Sequence, residues 1–166
     1  MLDFNFSRVH LEVLKQQSFP EKPAQITALL TEWGLSTQTQ ECVWVISTDA
    51  NGHLRTVVEV ARGAHSEVNV HLPSLLTAVL ASGGVVFTVA HNHPTGTALP
   101  STTDGQLNQA IMDAANVCGL IYEEHVIVEP GGKYFSFRDS GLLIPAPRGG
   151  GRPLDLKRAA SRSRSK

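Results

Sequence analysis

The run VVFTVAH at residues 85–91 constrains the fold more than any other stretch of the chain. It is too short for a helix and too apolar for the edge of a sheet, which predicts a buried central strand. The longest helical pattern follows it, STTDGQLNQAIMDAANVCG at residues 101–119, with its apolar side chains on one stripe. A buried strand followed by an amphipathic helix predicts an α/β protein with a mixed sheet.

The remaining segments alternate between helix and strand patterns. Two short helices and two β-rich runs are predicted, the helices at 22–35 and 73–82 and the strands at 41–48 and 53–63. Asn51-Gly52 lies between the two strands and is a strong hairpin signal. Residues 121–139 predict a closing hairpin that turns at Gly131-Gly132.

The net charge of −1 hides an asymmetry between an acidic body and a basic C-terminus. Residues 148–166 carry one acid, Asp155, and a cluster of basic side chains: Arg148, Arg152, Lys157, Arg158, Arg162, Arg164 and Lys166. No periodic apolar pattern survives there, which predicts a disordered tail. Any nucleic acid bound by this tail is expected to bind weakly and without sequence preference.

The cysteine content and the apolar runs indicate the compartment. Two cysteines imply no disulfide framework, and no signal-like N-terminal run occurs. No segment approaches the roughly 20 apolar residues needed to span a bilayer. We therefore expect a cytoplasmic protein without a membrane partner.

The stretch AHNHPTGTALPSTTD at residues 90–104 carries the strongest chemical signal. If the chain stays extended through Asn92, His91 and His93 point to the same side, and the following helix can return Asp104 to face them. Two imidazoles and a carboxylate suit Zn²⁺ and leave a fourth position for water. STTD is also a good helix start with Ser101 as N-cap. The spacing alone therefore does not distinguish a metal site from an ordinary loop that ends in a helix cap.

These residues reproduce a known signature. His91-Asn92-His93, seven residues, Ser101 and then Asp104 match the His-x-His-x₇-Ser-x₂-Asp pattern of JAMM (MPN⁺) metallopeptidases. With YFSFRDSG near the end, the chain most resembles the JAB domain of RadC-type proteins. The resemblance implies a three-layer JAB/MPN, cytidine-deaminase-like sandwich whose mixed central β-sheet is flanked by helices. It covers residues 22–144 and leaves an N-terminal extension at 1–21 and the basic tail at 145–166.

The resemblance also implies roles for individual residues. His91, His93 and Asp104 would hold Zn²⁺. Glu59, in the sequence Glu-Val-Ala-Arg-Gly, would be the general base, and Ser101 would stabilise the oxyanion. The alternatives are a solvent-facing Glu59 and a Ser101 that only caps the helix. For His125 we expect a surface position at a strand end, with support of the metal site as the alternative.

The function implied is zinc-dependent hydrolysis of peptide or isopeptide bonds in a protein or peptide substrate, such as a ubiquitin-like conjugate. One alternative is a nucleic-acid-associated, DNA-repair-type RadC-like protein, which the basic tail favours and the acidic body opposes. Another is a non-catalytic JAB interaction module, which the retention of every motif residue opposes. Substrate identity, oligomeric state and any activating partner stay open.

Overall fold

A five-stranded sheet forms the centre of the fold in the computed structural model, which describes residues 18–63, 69–94 and 96–146. The elements follow the order α1 (Pro23–Glu32), β1 (Cys42–Thr48), β2 (Leu54–Arg62), α2 (Leu72–Ala81), β3 (Val86–Asn92), α3 (Thr102–Cys118), β4 (Ile121–Val128) and β5 (Tyr134–Ser136). Nearly all of the predicted N-terminal extension and of the predicted basic tail lies outside the described residues.

The sheet is mixed, as the sequence predicts. Its strand order is β2-β1-β3-β4-β5. β1 pairs antiparallel with both β2 and β3, β3 pairs parallel with β4, and β5 returns antiparallel to β4. β3 is the central strand, and every one of its residues is buried. Because β3 and β4 are parallel, the chain must cross over between them, and α3 makes that crossover.

Helices cover both faces of the sheet and so complete the expected three-layer α/β sandwich. Side chains alternate along β1, so Val43 and Val45 enter the cluster under α2 and α3 whereas Trp44 and Ile46 enter the cluster under α1. Each such buried side chain contributes about 1.5–3 kcal/mol to folding. We call these the α3 face and the α1 face of the sheet.

α3 is the longest helix, with 17 residues. It ends at Gly119, whose φ of 69° lies in the left-handed region that a glycine adopts without strain. Within the described ranges, no helix has the length and apolarity needed to cross a lipid bilayer.

A bulge in β2 interrupts the alternation of side chains. Val43 pairs with Ala61 while its neighbour Trp44 pairs with Glu59, so Val60 is the extra residue. Val60 and Ala61 therefore both pack against the α3-face cluster. Glu59 falls on the α1 face, beside Trp44.

A second bulge lies in β4. Phe87 pairs with Tyr122 and Thr88 with Glu124, which leaves Glu123 as the extra residue. Tyr122 and His125 are three positions apart and would otherwise point to opposite faces. The bulge reverses the alternation, so both side chains lie on the α3 face.

Two glycines should respond to alanine substitution with opposite signs. A Cβ on Gly84 would lie 2.8 Å from the Cβ of Ser47, so we expect Gly84→Ala to destabilise the fold by about 2 kcal/mol. A Cβ on Gly105 in α3 would meet nothing within 4 Å, so Gly105→Ala should stabilise it by about 0.5–1 kcal/mol. Urea unfolding of the two variants measures both effects. Equal effects of the same sign would contradict this packing at Gly84.

Candidate metal centre

The end of β3 brings two histidines together on the α3 face. His91 and His93 flank Asn92, the last residue of the strand, so both rings point to the same side. The pairing continues one residue further, because the His93 N–H donates to the Val128 carbonyl over 2.9 Å. The Nε2 atoms of the two rings lie 3.2 Å apart.

The first turn of α3 places a carboxylate against these rings. Asp104 Oδ1 lies 3.2 Å from His91 Nε2, and Asp104 Oδ2 lies 3.5 Å from His93 Nε2. Ser101 caps the helix: its hydroxyl and its backbone N–H both donate to Asp104 Oδ2 over 2.7 Å, and its Oγ accepts from the Asp104 N–H. The capping box thus fixes the position of the carboxylate.

A fourth side chain, Glu41, completes the cluster. One ligand atom from each of Glu41, His91, His93 and Asp104 lies within 4.8 Å of all the others. The register explains why: Val43 pairs with His91, so Glu41, two residues earlier in the antiparallel pair, stands level with His93 on the same face. Two imidazoles and two carboxylates can hold a divalent metal ion.

Glu59 lies elsewhere. The bulge in β2 puts it on the α1 face, where Arg62 donates to its two oxygens over 2.7 and 2.6 Å. The indole N–H of Trp44 donates to the same carboxylate over 3.4 Å. Glu59 was the general base expected from the sequence, but this geometry brings Glu41, and not Glu59, beside the histidines.

In both histidines, the Nδ1 atom, which faces away from Asp104, makes a hydrogen bond. His93 Nδ1 lies 2.8 Å from the Thr97 carbonyl, which can only accept, so this nitrogen carries a proton and neutral His93 keeps its Nε2 lone pair free for a metal. His91 Nδ1 lies 3.0 Å from His125 Nε2. Such contacts orient metal-binding imidazoles in proteins generally.

Burial and these contacts set the protonation of the cluster. Burial alone would raise the pKa of the Asp104 carboxyl, but hydrogen bonds from His91, His93 and Ser101 hold it well below its usual range. The hydrogen bond to Asp104 raises the pKa of His93, against the opposing effect of burial. Because a metal and a proton compete for His93 Nε2, metal affinity should fall as the pH falls.

Asn92 ties the strand that carries the histidines to the segment that carries Glu41. Its side chain points to the face opposite the histidines and is fully buried. Its Oδ1 accepts from the Cys42 N–H over 2.8 Å, and its Nδ2 donates to the carbonyls of Gln38 and Gln40 over 3.1 and 3.0 Å. The backbone on both sides of Glu41 is therefore held by one side chain.

His125 lies in the interior of the protein. Its exposure is 0 %, which corrects the expectation of a surface position at a strand end. The physical reason is that both faces of the sheet are covered at β4, and the bulge in β4 turns the ring toward the α3 face. Burial, followed by the nearby His91, lowers the pKa of His125 well below its usual value.

Sequence reasoning missed Glu41 and Asn92 as parts of this site, and it gave His125 a place there only as the alternative to a surface position. Glu41 directly precedes an apolar β-rich run. Because it lies two residues before Val43, strand alternation would have placed both side chains on the same face of the sheet. That signal is useful only once the pairing of β1 with β3 is known. The roles of Asn92 and His125 depend on contacts with distant segments that no local pattern reveals.

The mixed sandwich and its His-His-Asp-Glu cluster define the class of domain. A comparison with known families matches residues 20–142, more than half of the chain, to the RadC-like JAB domain. The chain therefore belongs to the RadC-like JAB domain family.

Several bacterial proteins named UPF0758 are similar to this chain. The one from Porphyromonas gingivalis is 35% identical over 104 residues, which is 63% of this chain and 46% of that protein. The one from Protochlamydia amoebophila is 28% identical over 110 residues, 66% of this chain and 47% of that protein. The one from Variovorax paradoxus is 28% identical over 136 residues, 82% and 60% respectively. The chain spans about half the length of the curated relatives it matches.

Removing the Asn92 side chain should weaken the fold next to the cluster. Asn92→Ala leaves the buried Cys42 N–H and two carbonyls without their partner, so we expect a loss of about 3 kcal/mol in the free energy of unfolding. Asn116→Ala, on the exposed side of α3, should change it by less than about 0.5 kcal/mol. Denaturant unfolding of the metal-free proteins makes the comparison. Similar small effects of both substitutions would contradict the role given to Asn92.

Proposed function

We propose that this domain is a zinc-dependent hydrolase of peptide or isopeptide bonds. The observation that carries the proposal is the convergence of Glu41, His91, His93 and Asp104 on one point, with their ligand atoms within 4.8 Å of one another. Membership of the RadC-like JAB domain family supports it.

In this proposal His91, His93 and Asp104 hold Zn²⁺. Two imidazoles and one carboxylate match the ligands of catalytic zinc sites, which use three protein ligands and keep one position open. Zinc in such a site lowers the pKa of a coordinated water to about 7 and polarises a substrate carbonyl. Ser101 acts on Asp104 here: its hydroxyl proton is committed to Asp104 Oδ2, so it orients the ligand rather than contacting an oxyanion.

We assign the general base to Glu41 instead of Glu59. The carboxylate of Glu41 stands beside the ligands and would take a proton from the attacking water and deliver it to the leaving nitrogen. The Glu59 carboxylate is bound to Arg62 on the other face of the sheet. Sheet alternation separates the two, so no rotamer change would bring Glu59 to the ligands.

The proposed substrate is a peptide or isopeptide linkage in a protein, such as a ubiquitin-like conjugate. His91 and Asp104 are buried, whereas Glu41 and His93 are partly exposed, so the cluster opens on the side of the proposed base. A substrate carbonyl approaching from that side would reach Glu41 and the metal-binding residues together. Both cysteines of the domain are free thiols, which fits a reducing compartment such as the cytoplasm.

Each ligand should be required for the metal. We expect His91→Ala, His93→Ala and Asp104→Ala each to remove zinc from the folded protein, because three ligands are the minimum of a catalytic site. His53→Ala, in the exposed turn between β1 and β2, is the matched control and should keep zinc. Atomic absorption on purified proteins measures the content. Wild-type protein prepared without chelators and free of divalent metal would end the zinc proposal.

The base should be separable from the ligands. Glu41→Gln should retain zinc and lose about 10²- to 10⁴-fold in rate, the usual contribution of a general base. Glu59→Gln is the matched control, a glutamate of the same sheet on the opposite face, and should keep both zinc and rate. Hydrolysis of peptides and lysine-linked isopeptides is measured beside metal content.

Two results would contradict the assignment of the base. Loss of zinc in Glu41→Gln would make Glu41 a fourth ligand. A rate that falls in Glu59→Gln and not in Glu41→Gln would return the base to Glu59.

A further inference from the structure

His125 occupies an unusual position for a histidine. It lies in β4 with 0 % exposure, its ring stacked on that of Phe137 with centroids 4.5 Å apart and an interplanar angle of 14°. Its Nε2 lies 3.0 Å from His91 Nδ1. Its other nitrogen, Nδ1, is buried without a hydrogen-bond partner among the described residues.

The hydrogen bond between the two rings can run in either direction, and only one direction is compatible with a metal on His91. A neutral imidazole has one N–H and one lone pair. If His125 donated from Nε2, neutral His91 would carry its proton on Nε2 and could not bind a metal there. If His91 donates from Nδ1, its Nε2 lone pair faces His93 and Asp104.

Donation from His91 Nδ1 to His125 Nε2, the direction that suits a metal, destabilises the fold. When His125 Nε2 accepts, the His125 proton sits on Nδ1, which is the buried atom without a partner. An unpaired buried N–H is destabilising. A phenylalanine at this position would keep the stack on Phe137 and remove that N–H, and it would leave His91 Nδ1 without its partner instead. Packing alone therefore does not account for a histidine here.

We propose that His125 is a positioning residue for the metal site: its Nε2 accepts from His91 Nδ1 and so presents the His91 Nε2 lone pair to the metal. The proposal rests on the zinc site proposed above. His93 receives the equivalent support from the Thr97 carbonyl, which is an obligatory acceptor. His125 thus orients the buried ligand His91 in the same way that the Thr97 carbonyl orients the partly exposed ligand His93.

The decisive variant is His125→Phe, because it should lower metal affinity with little change in fold stability. Zinc affinity, measured by competition with a chromophoric chelator, should fall by about 10- to 100-fold, the usual effect of losing a hydrogen-bond partner of a metal ligand. The melting temperature of the metal-free protein should stay close to that of the wild type, because one unpaired buried nitrogen, His91 Nδ1, replaces another, His125 Nδ1. A loss of only side-chain packing would not produce this combination.

Two further variants complete the titration. His125→Gln places an amide oxygen at about the reach of Nε2 and should recover most of the lost affinity. His53→Phe makes the same substitution at an exposed histidine outside the site and should bind zinc like the wild type.

A measurement on the wild type does not depend on any variant folding. Long-range ¹H–¹⁵N imidazole spectra of the zinc-loaded protein should show His125 protonated on Nδ1 and bare on Nε2. A proton on His125 Nε2 would overturn the proposal. So would wild-type zinc affinity in His125→Phe, or a drop in its affinity that His125→Gln does not recover.

His91→Ala in the same titration separates this inference from the proposed function. If His91→Ala binds zinc as the wild type does, the proposed zinc site is wrong and the role of His125 with it. If His91→Ala loses zinc while His125→Phe keeps wild-type affinity, only the positioning role is wrong.

Discussion

The antiparallel pairing of β1 with β3 is the constraint on which the site depends. Val43 opposite His91 sets Glu41 level with His93 on the α3 face. A slip of one residue would turn Glu41 to the α1 face and leave the histidines without their second carboxylate. The side chain of Asn92 disfavours that slip. Its hydrogen bonds join the end of β3 to the start of β1 on the opposite face of the sheet.

Two bulges decide which side chains can join the site. Strict alternation assigns every residue of a strand to one face, and each bulge resets the assignment for the residues beyond it. The bulge in β2 leaves Glu59 on the α1 face with Arg62. The bulge in β4 brings His125 to the α3 face, against His91. Extra residues in the sheet thus accompany the placement of Glu59 away from the histidines of β3 and of His125 against His91.

Local patterns predicted what local interactions determine. The central strand β3, the helix α3 with its cap at Ser101, and the mixed α/β sandwich follow from apolar periodicity and capping chemistry in single segments. The positions of Glu41, Glu59 and His125 do not, because each depends on a register or a bulge that involves a partner strand distant in sequence. Motif resemblance pointed to Glu59, and only the pairing of strands distinguishes it from Glu41.

Hydrogen bonds and ion pairs within the protein hold the cluster in place. Asp104 is fixed by the capping box with Ser101, and its two oxygens face His91 and His93 at hydrogen-bond or ion-pair distances. A divalent metal at this cluster would compete with protons for the histidine nitrogens, since a metal binds the deprotonated imidazole. Two apolar clusters, one on each face of the sheet, bury the core independently of these residues. Loss of a ligand should therefore abolish metal binding while the sandwich persists, which is what allows the chemistry of this site to be tested apart from its fold.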